Sequence, residues 1–216
     1  MTAAPTVIPH PAKFTPVILD VFAALLEPDS YVLDPFAGTG RIHQLVDQRT
    51  VGIEIQPKWA EQHPATQVGN ALDLPFADDE FDAIATSPCY GNRFADHHTP
   101  KDTSRRRSYT FDHGEPLHDD NAGTLQWGRA YRRFHEAAWG EAVRVLRPGG
   151  RFLLNISDHV RQRRRQPVSG WHVGTLQALG LTVVDIVPVP TPRHRHGANH
   201  QDRVAAELVV AMELGQ

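Results

Sequence analysis

Two acidic residues, Asp34 and Glu54, each end a short apolar run, and their surroundings are typical of a site for a cationic, hydroxyl-bearing ligand. Asp34 leads into the glycine-rich segment 37–40, where missing side chains let a ligand lie against the backbone. Glu54 follows at roughly the 20-residue distance at which nucleotide-binding folds place an acid that accepts ribose hydroxyls. The segment lacks the G-x-G-x-x-G pattern and the Lys-Ser/Thr of a phosphate loop, so bound phosphate is not expected. Strand-end acids also cap helices, but in this order and at this spacing the pair predicts a binding site.

Short apolar runs alternate with helix-like segments over most of the chain. We expect helices over 17–26, 42–47, 58–62 and 130–146, and strands over 31–36, 50–55, 66–71, 81–86, 152–156, 181–189 and 204–214. This alternation predicts an α/β fold with a mainly parallel sheet covered on both faces. Residues 91–128 are polar, lack clear periodicity and are too long for a simple connection, so we expect them to form a functional insertion.

Length and composition predict one globular domain over residues 1–216. The chain is 40% hydrophobic and 22% charged, which is ordinary for a soluble protein. The chain contains no run of about 18 apolar residues, so no membrane span is predicted. Residues 1–9 lack the charged start and apolar stretch of a secretory signal. Cys89 is the single cysteine, which excludes an intrachain disulfide and a multi-cysteine zinc site. These features are those expected of a cytosolic protein.

The net charge of −3 is unevenly distributed along the chain. Residues 1–92 hold 4 Lys/Arg and 12 Asp/Glu, whereas residues 93–216 hold 18 and 13, so the two parts carry −8 and +5. Such a division predicts a first part that binds a neutral or cationic ligand and a second part that meets an anion. Coding bias also explains 19 Arg beside 3 Lys, and the charge pattern alone leaves both explanations open.

Several motifs together resemble one enzyme family. Residues 34–40 (D-P-F-A-G-T-G) followed by 52–55 (G-I-E-I) resemble the class I S-adenosylmethionine-dependent methyltransferases. Residues 87–90 (S-P-C-Y) resemble the D/N/S-P-P-Y signature of the members that methylate exocyclic amino groups of DNA bases. Residues 10–14 and 69–71 resemble the family's segments at the methionine and adenine ends of the cofactor. The resemblance implies a Rossmann-like class I methyltransferase fold, with a mostly parallel seven-stranded sheet and helices on both faces.

The resemblance also implies S-adenosyl-L-methionine as the cofactor. Its candidate binding residues are Lys13, Phe14, Asp34, Phe36, Ala37, Gly38, Gly40, Glu54, Asn70, Ala71 and Ser87. No metal and no covalent intermediate are implied, because the sulfonium already supplies the leaving group and transfer depends mainly on in-line positioning.

The same resemblance assigns catalysis to Ser87, Pro88 and Tyr90. The lone pair of an exocyclic amine on cytosine or adenine is delocalised into the ring, so its protons need hydrogen-bond acceptors before the nitrogen attacks a methyl group. In the family, the first side chain of the signature and the next main-chain carbonyl accept them, which here are those of Ser87 and Pro88. Tyr90 is expected to stack on a base that has rotated out of the duplex.

Cys89 departs from the family pattern, which usually has a second proline at this place. The pair Pro88-Cys89 invites comparison with cytosine-C5 methyltransferases, in which a Pro-Cys thiol attacks the base. That mechanism needs a partner acid, typically in a Glu-Asn-Val segment, and none follows Cys89. We therefore interpret Cys89 as a replacement for the proline and not as a nucleophile.

Arginine-rich segments with interleaved aromatic residues occur in the second part of the chain. This composition is typical of contacts with nucleic-acid phosphates and bases, so residues 91–128 are predicted to be the target-recognition loop. The candidate nucleic-acid contacts are Arg93, Arg105, Arg106, Arg107, Arg163, Arg164 and Arg165. The 13 histidines lack the H-E-x-x-H or Cys/His spacing of metal sites, so we expect solvated loop histidines and no metal.

The motifs leave alternatives to the methylation of DNA. Methyltransferases acting on RNA or on a protein glutamine use similar N/D-P-P-Y motifs, although Ser87 and the segment 10–11 favour DNA. A non-catalytic module of this fold, which binds nucleic acid or a partner enzyme, also fits the loss of the second proline. DNA is therefore the expected partner and RNA the second, while the oligomeric state is left open.

Overall fold

In the part of the chain that the structure describes, seven strands form one sheet, two more form a separate hairpin, and five helices pack around them. The structure is a computed structural model that describes residues 9–12, 14–95, 108–190 and 204–216, with the side chain of Arg93 excepted. The strands are β1 (Tyr31–Asp34), β2 (Arg49–Glu54), β3 (Thr66–Val68), β4 (Phe81–Thr86), β5 (Leu146–Ile156), β6 (His159–Arg161), β7 (Arg164–Gln166), β8 (Leu181–Pro190) and β9 (Ala206–Leu214). The helices are α1 (Pro16–Leu25), α2 (Pro57–Ala60), α3 (Tyr109–His113), α4 (Arg129–Arg144) and α5 (Val168–Ala178), with short 3-10 turns at Arg41–Gln44, Arg93–Ala95 and Ala122–Thr124.

The strand order of the sheet is β3-β2-β1-β4-β5-β9-β8. The pairs from β3 to β5 are parallel, and β9 runs antiparallel between β5 and β8. The chain order reverses between β1 and β4, which in open α/β sheets is where ligands bind, outside the carboxyl ends of the strands. Because β9 is antiparallel, its first residues lie at that same edge. The mainly parallel sheet expected from the sequence is confirmed.

Apolar side chains of the strands alternate between two cores, one on each face of the sheet. On β1, Val32 packs in the core that contains Ile18 and Phe22 of α1, whereas Leu33 packs in the core that contains Trp139 of α4. This period of two is the geometry of a strand buried on both sides. The helices on both faces are therefore fixed by the burial of opposite side chains of the same strands.

Several segments differ from the sequence-based expectation, among them α3, which lies in the stretch 91–128 where no regular element was expected. The predicted helix over 42–47 is a single 3-10 turn, and His43 within it bonds the hydroxyls of Thr50 and Thr66 instead of facing solvent on a helix. Helix α5 was not predicted, because glycines at 170 and 174 give it a weak intrinsic propensity that burial of its apolar side chains overrides. The β6–β7 hairpin was also missed, since non-glycine residues occupy its left-handed turn.

Two glycine substitutions test how closely neighbouring atoms pack around β5, with a glycine of α4 as the comparison. A Cβ on Gly150 of β5 would lie 2.5 Å from Leu146 Cδ1 and 2.7 Å from the Arg147 carbonyl oxygen, so Gly150→Ala is expected to lower the free energy of unfolding by about 1–3 kcal/mol. Gly140 of α4 has open space around its Cβ position, so Gly140→Ala is expected to raise it by about 0.5–1 kcal/mol. Urea unfolding followed by circular dichroism measures both; equal stabilities would contradict the packing at β5.

Candidate functional site

A cavity of about 270 Å³ lies at the carboxyl edge of the sheet, beside the ends of β1, β2 and β4. It brings together most of the residues predicted from the sequence to bind the cofactor or to act in catalysis. Those lining it are Phe14, Phe36, Ala37, Gly38, Glu54, Asn70, Ala71, Ser87, Pro88 and Tyr90. Asp34 lies behind the wall, fully buried, and Gly40 does not line the cavity. Lys13 lies outside the described residues.

The glycine-rich segment after β1 forms a thin wall of this cavity. Gly38 has φ +54°, and a Cβ there would lie 3.2 Å from the His10 ring. Gly40 has φ +77°, and a Cβ there would lie 2.6 Å from His63 Cβ. The role of Gly40 is therefore close packing against the loop after α2, whereas Gly38 keeps the cavity open beneath His10.

Glu54 presents a buried carboxylate at the end of β2. Its Oε2 accepts a hydrogen bond from the Gly38 N–H at 3.1 Å, and its Oε1 accepts one from the Gln56 N–H at 2.8 Å. Burial raises the pKa of Glu54 from 4.5 to about 7, although both hydrogen bonds act in the opposite direction. Each oxygen has capacity for a further donor, so the carboxylate is suited to accept two ligand hydroxyls.

Asp34 is the most deeply buried acid of the site. Its Oδ1 accepts hydrogen bonds from the Phe36 N–H at 3.0 Å and the Thr86 hydroxyl at 2.6 Å. Its Oδ2 is buried and has no hydrogen-bond partner among the described residues. Burial raises the pKa of this carboxyl to about 7. A buried carboxylate oxygen without a partner is costly, and a positive charge on a ligand in the cavity in front of the wall would lower that cost.

A second polar cluster lines the cavity where β4, β5 and β9 meet. The Ser87 Oγ lies 3.0 Å from the Tyr90 hydroxyl, which donates to Glu207 Oε2 at 3.2 Å. The Asn155 amide nitrogen lies 3.1 Å from Ser87 Oγ, 2.9 Å from the Tyr90 hydroxyl and 2.9 Å from Glu207 Oε2, and these three acceptors share its two hydrogens. Asn155 and Glu207 were not singled out from the sequence. Both lie in apolar strands far along the chain. Only the position of β9 beside β5 brings them close to Ser87 and Tyr90.

The loop that carries Ser87 and Tyr90 is held from behind by α4 and α5. The Tyr131 hydroxyl donates to the Cys89 carbonyl oxygen at 2.6 Å and lies 2.8 Å from His172 Nε2. Trp139 Nε1 donates to His172 Nδ1 at 2.8 Å. Burial keeps the pKa of His172 well below its ordinary value, so the ring is neutral. Nδ1 accepts and Nε2 donates, and the chain of bonds from Trp139 to Cys89 has one direction.

Cys89 does not have the surroundings of a nucleophile. Burial raises the pKa of its thiol from 9.0 to about 12, although a hydrogen bond with Tyr109 acts in the opposite direction. Thiol nucleophiles need a lowered pKa. The raised pKa argues against the thiol attack of the cytosine-C5 mechanism, and the replacement of a proline by Cys89 stays a prediction.

The described part of the insertion over 91–128 closes one side of the cavity. Its two ends lie together, because the Trp127 N–H donates to the Gly91 carbonyl oxygen at 2.9 Å. Tyr109 of α3 makes edge contacts with the rings of His10 and Trp59, and Asp120 accepts a hydrogen bond from the Asn70 amide at 3.0 Å. The insertion therefore builds part of the wall beside the predicted adenine segment, which the sequence did not indicate.

The predicted nucleic-acid contacts are described only in part. Arg163 and Arg164 are exposed on the β6–β7 hairpin, and Arg165 forms an ion pair with Asp158 at 2.7 Å. Arg161 donates to Gln126 of the insertion at 2.5 Å, so the hairpin and the insertion are adjacent. The side chain of Arg93 and the residues Arg105, Arg106 and Arg107 lie outside the described residues.

Neither a metal-binding cluster nor a membrane-spanning helix occurs in the described ranges. No group of three or more His, Cys, Asp or Glu within them could hold a metal ion. None of the helices in these ranges is long and apolar enough to cross a membrane.

Solved structures with the same architecture identify the fold. A Burkholderia thailandensis 1,6-didemethyltoxoflavin-N1-methyltransferase with bound S-adenosylhomocysteine matches 93% of this chain and 78% of its own, at 18% identity and TM-score 0.55. A Methanosarcina mazei S-adenosylmethionine-dependent methyltransferase matches 95% and 100%, at 14% identity and TM-score 0.56. The [4+2]-cyclase SpnF matches 92% and 81%, at 15% identity and TM-score 0.55.

These likenesses confirm the Rossmann-like class I methyltransferase fold with its seven-stranded, mostly parallel sheet. Identities of 18% and below extend to the fold alone, and this fold also carries a cyclase, so function has to be argued from the site. No protein-family profile and no curated protein sequence matches the chain.

Replacing Asp34 by asparagine tests the cost of its buried charge. Because burial raises the folded-state pKa to about 7 from 3.8, Asp34 removes stability as the pH rises between those two values. The asparagine side chain would keep an oxygen for Phe36 and Thr86 without this titration. We expect the melting temperature of Asp34→Asn, relative to wild type, to rise by at least about 2 °C between roughly pH 5 and pH 8.

Calorimetry on the ligand-free proteins measures this difference. Any cost of the new amide is the same at both pH values, so the change in the difference isolates the carboxyl. Asp20→Asn, on the exposed side of α1, is the matched control and should show no such change. A difference independent of pH would contradict the buried charge.

Alkylation tests the state of the Cys89 thiol. With a pKa of about 12, on the order of one folded molecule in 10,000 carries a thiolate at about pH 8, compared with roughly one in ten when unfolded. Iodoacetamide should therefore modify the native protein at least about 100-fold more slowly than the urea-unfolded protein, as followed by mass spectrometry. Comparable rates in both states would return Cys89 to the nucleophile candidates.

Proposed function

We propose that this protein is an S-adenosyl-L-methionine-dependent methyltransferase that acts on an exocyclic amino group of a DNA base, at N4 of cytosine or N6 of adenine. One observation carries the proposal. The glycine loop with Glu54 and the Ser87–Tyr90 loop line the same cavity. A methyl donor bound at the first loop and an amine bound at the second would share this cavity.

The residues of the cavity fit the cofactor group by group. The Glu54 carboxylate suits the two ribose hydroxyls, and Asp34, buried behind the wall, adds negative potential that favours the positive charge of the methionine part. Asn70 and Ala71 lie in the loop after β3 and suit the adenine. When bound, the cofactor supplies an activated methyl group on a sulfonium. The absence of a side chain at Gly38 leaves room for the cofactor against the cavity wall.

The catalytic loop supplies the acceptors that the amine requires. Ser87 Oγ and the Pro88 carbonyl oxygen would accept its protons, so that the nitrogen lone pair turns towards the methyl group. Tyr90 has one edge of its ring fixed by its hydroxyl bonds to Ser87 and Asn155. A fixed aromatic ring loses little entropy when a flipped base stacks on it.

Positive charge beside the cavity favours a nucleic acid as the substrate. Arg163 and Arg164 stand exposed on the hairpin that follows the carboxyl end of β5, on the same edge of the sheet as the cavity. Exposed arginines at this edge suit phosphate contacts. Together with the exocyclic-amine chemistry of the Ser87–Tyr90 loop, they favour DNA over a small molecule.

A methyl-transfer assay with labelled S-adenosylmethionine tests the proposal. Single-stranded DNA, duplex DNA, RNA and a protein mixture are offered separately, and the DNA product is digested and its nucleosides identified by mass. We expect label in DNA as N4-methylcytosine or N6-methyladenine. Label in RNA or protein alone would identify that molecule as the substrate instead of DNA. Cofactor binding without any transfer would favour a non-catalytic module.

A pair of glycine variants ties the cofactor to the cavity. Gly38→Ala is expected to weaken S-adenosylmethionine binding at least about 10-fold in calorimetric titration, because its Cβ would stand against His10 at the cavity wall. Gly149→Ala is the control, since φ +72° gives a comparable backbone strain but its Cβ meets open space outside the cavity. Equal affinities in both variants would overturn the cofactor assignment.

A further inference from the structure

We propose that the proton released by the target amine passes through the Ser87 and Tyr90 hydroxyls to the carboxylate of Glu207, which Asn155 holds in place. This inference rests on the proposed function and adds the final proton acceptor to it. Glu207 reaches the cavity from β9, and no motif near Ser87 contains it.

The need for such an acceptor follows from the residue at the start of the loop. The amine nitrogen becomes strongly acidic once it shares its lone pair with the methyl group. Ser87 accepts a hydrogen bond, but a neutral hydroxyl does not retain a proton, in contrast to a carboxylate at the same position. A proton that reaches Ser87 Oγ therefore has to move on.

The hydrogen bonds around Ser87 have a defined direction towards Glu207. An ionised carboxylate only accepts, so the single proton of the Tyr90 hydroxyl lies on the 3.2 Å bond to Glu207 Oε2. The 3.0 Å bond between Ser87 and Tyr90 then takes its proton from Ser87. Ser87 Oγ is left with lone pairs as acceptors, one of which faces the Asn155 amide, whose two hydrogens are shared with Tyr90 and Glu207. The two hydroxyls form a relay that starts at the amine acceptor and ends at a carboxylate.

The reaction balances through this relay. The bond between the methyl carbon and the sulfonium sulfur breaks, its electron pair stays on sulfur, and the amine nitrogen forms the new bond to carbon. One N–H bond breaks as Ser87 Oγ gains that proton, while the Ser87 proton passes to Tyr90 and the Tyr90 proton passes to Glu207. The products are a neutral thioether, a neutral methylated amine and a protonated Glu207, and both hydroxyls are restored.

Asn155 is the positioning residue of the relay. It extends from the end of β5, is almost fully buried, and its amide lies within 3.1 Å of Ser87 Oγ, the Tyr90 hydroxyl and Glu207 Oε2. The pairing of Asn155 in β5 with Val209 in β9 fixes the distance between the two strands at this point. The acceptor is thus held by the sheet itself.

Glu207→Gln tests the relay, because glutamine keeps the size of the side chain but cannot take up a proton. We expect single-turnover methyl transfer to DNA to fall about 100-fold, with S-adenosylmethionine affinity unchanged. Tyr90→Phe, which interrupts the relay, should cause a similar fall. The double variant should be little worse than either single one, because both remove the same step. Glu207→Asp should keep a measurable part of the activity.

A solvent isotope effect distinguishes proton transfer from a loss of shape. The wild-type single-turnover rate should be slower in D₂O, and this effect should shrink in Tyr90→Phe, whereas a structural role would leave it unchanged. Glu213→Gln, which alters a carboxylate of the same strand outside the cavity, is the matched control and should keep the wild-type rate.

The outcomes separate this inference from the proposed function. A wild-type protein that methylates DNA while Glu207→Gln keeps the full rate and the full isotope effect would overturn the relay and leave the function in place. A wild-type protein that binds S-adenosylmethionine but methylates no nucleic acid or protein would overturn both. Additive losses in the double variant would show two independent roles and would also overturn the relay.

Discussion

Two buried carboxylates on adjacent strands are the constraint on which the rest of this site depends. Asp34 ends β1 beside Gly52 of β2, and Glu54 ends β2 two residues further on. Burial raises the pKa of both to about 7, and the charge of Asp34 contributes to the rise at Glu54. At neutral pH the fold therefore carries negative charge that it only partly compensates. A ligand that donates hydroxyls to Glu54, and whose positive charge lies in front of the wall that covers Asp34, would recover part of that cost.

Hydrogen bonds from backbone amides stabilise the two buried carboxylates in the folded chain. The amides of Gly38 and Gln56 each hold one oxygen of Glu54, and the Phe36 amide holds Asp34. These donors lie in the turns that follow the two strands, so the same turns that form the cavity wall also orient its acids. Phe36 in turn packs edge-on against Trp139 of α4, with ring centroids 5.7 Å apart, which anchors the first turn in the core.

The Ser87–Tyr90 loop depends on a different part of the molecule. Its backbone is held by Tyr131, which is oriented by neutral His172 and by Trp139, all fully buried. Its side chains are held by Asn155 from β5 and by Glu207 from β9. A loop positioned by core side chains keeps its geometry without help from a substrate, which is the preorganisation that group transfer requires.

The sequence predicted those parts of the site whose signals are local. Asp34 and Glu54 follow apolar runs, and the glycines between them are visible without any tertiary information. Asn155 and Glu207 carry no such signal, because a polar residue near a strand end has many explanations, and only the insertion of β9 beside β5 brings both to Ser87. Helix α5 was missed for the same reason, since packing outweighs the weak propensity of its glycines.

The described part of the insertion connects two sides of the cavity. Tyr109 of the insertion contacts His10 and Trp59 and also bonds the Cys89 thiol of the Ser87–Tyr90 loop. Arg161 of the hairpin bonds Gln126 near the end of the same insertion. The hairpin is therefore adjacent to the insertion, on the edge where the strands end. Because the insertion also lines the cavity, it is the described segment that joins the cavity wall to the hairpin.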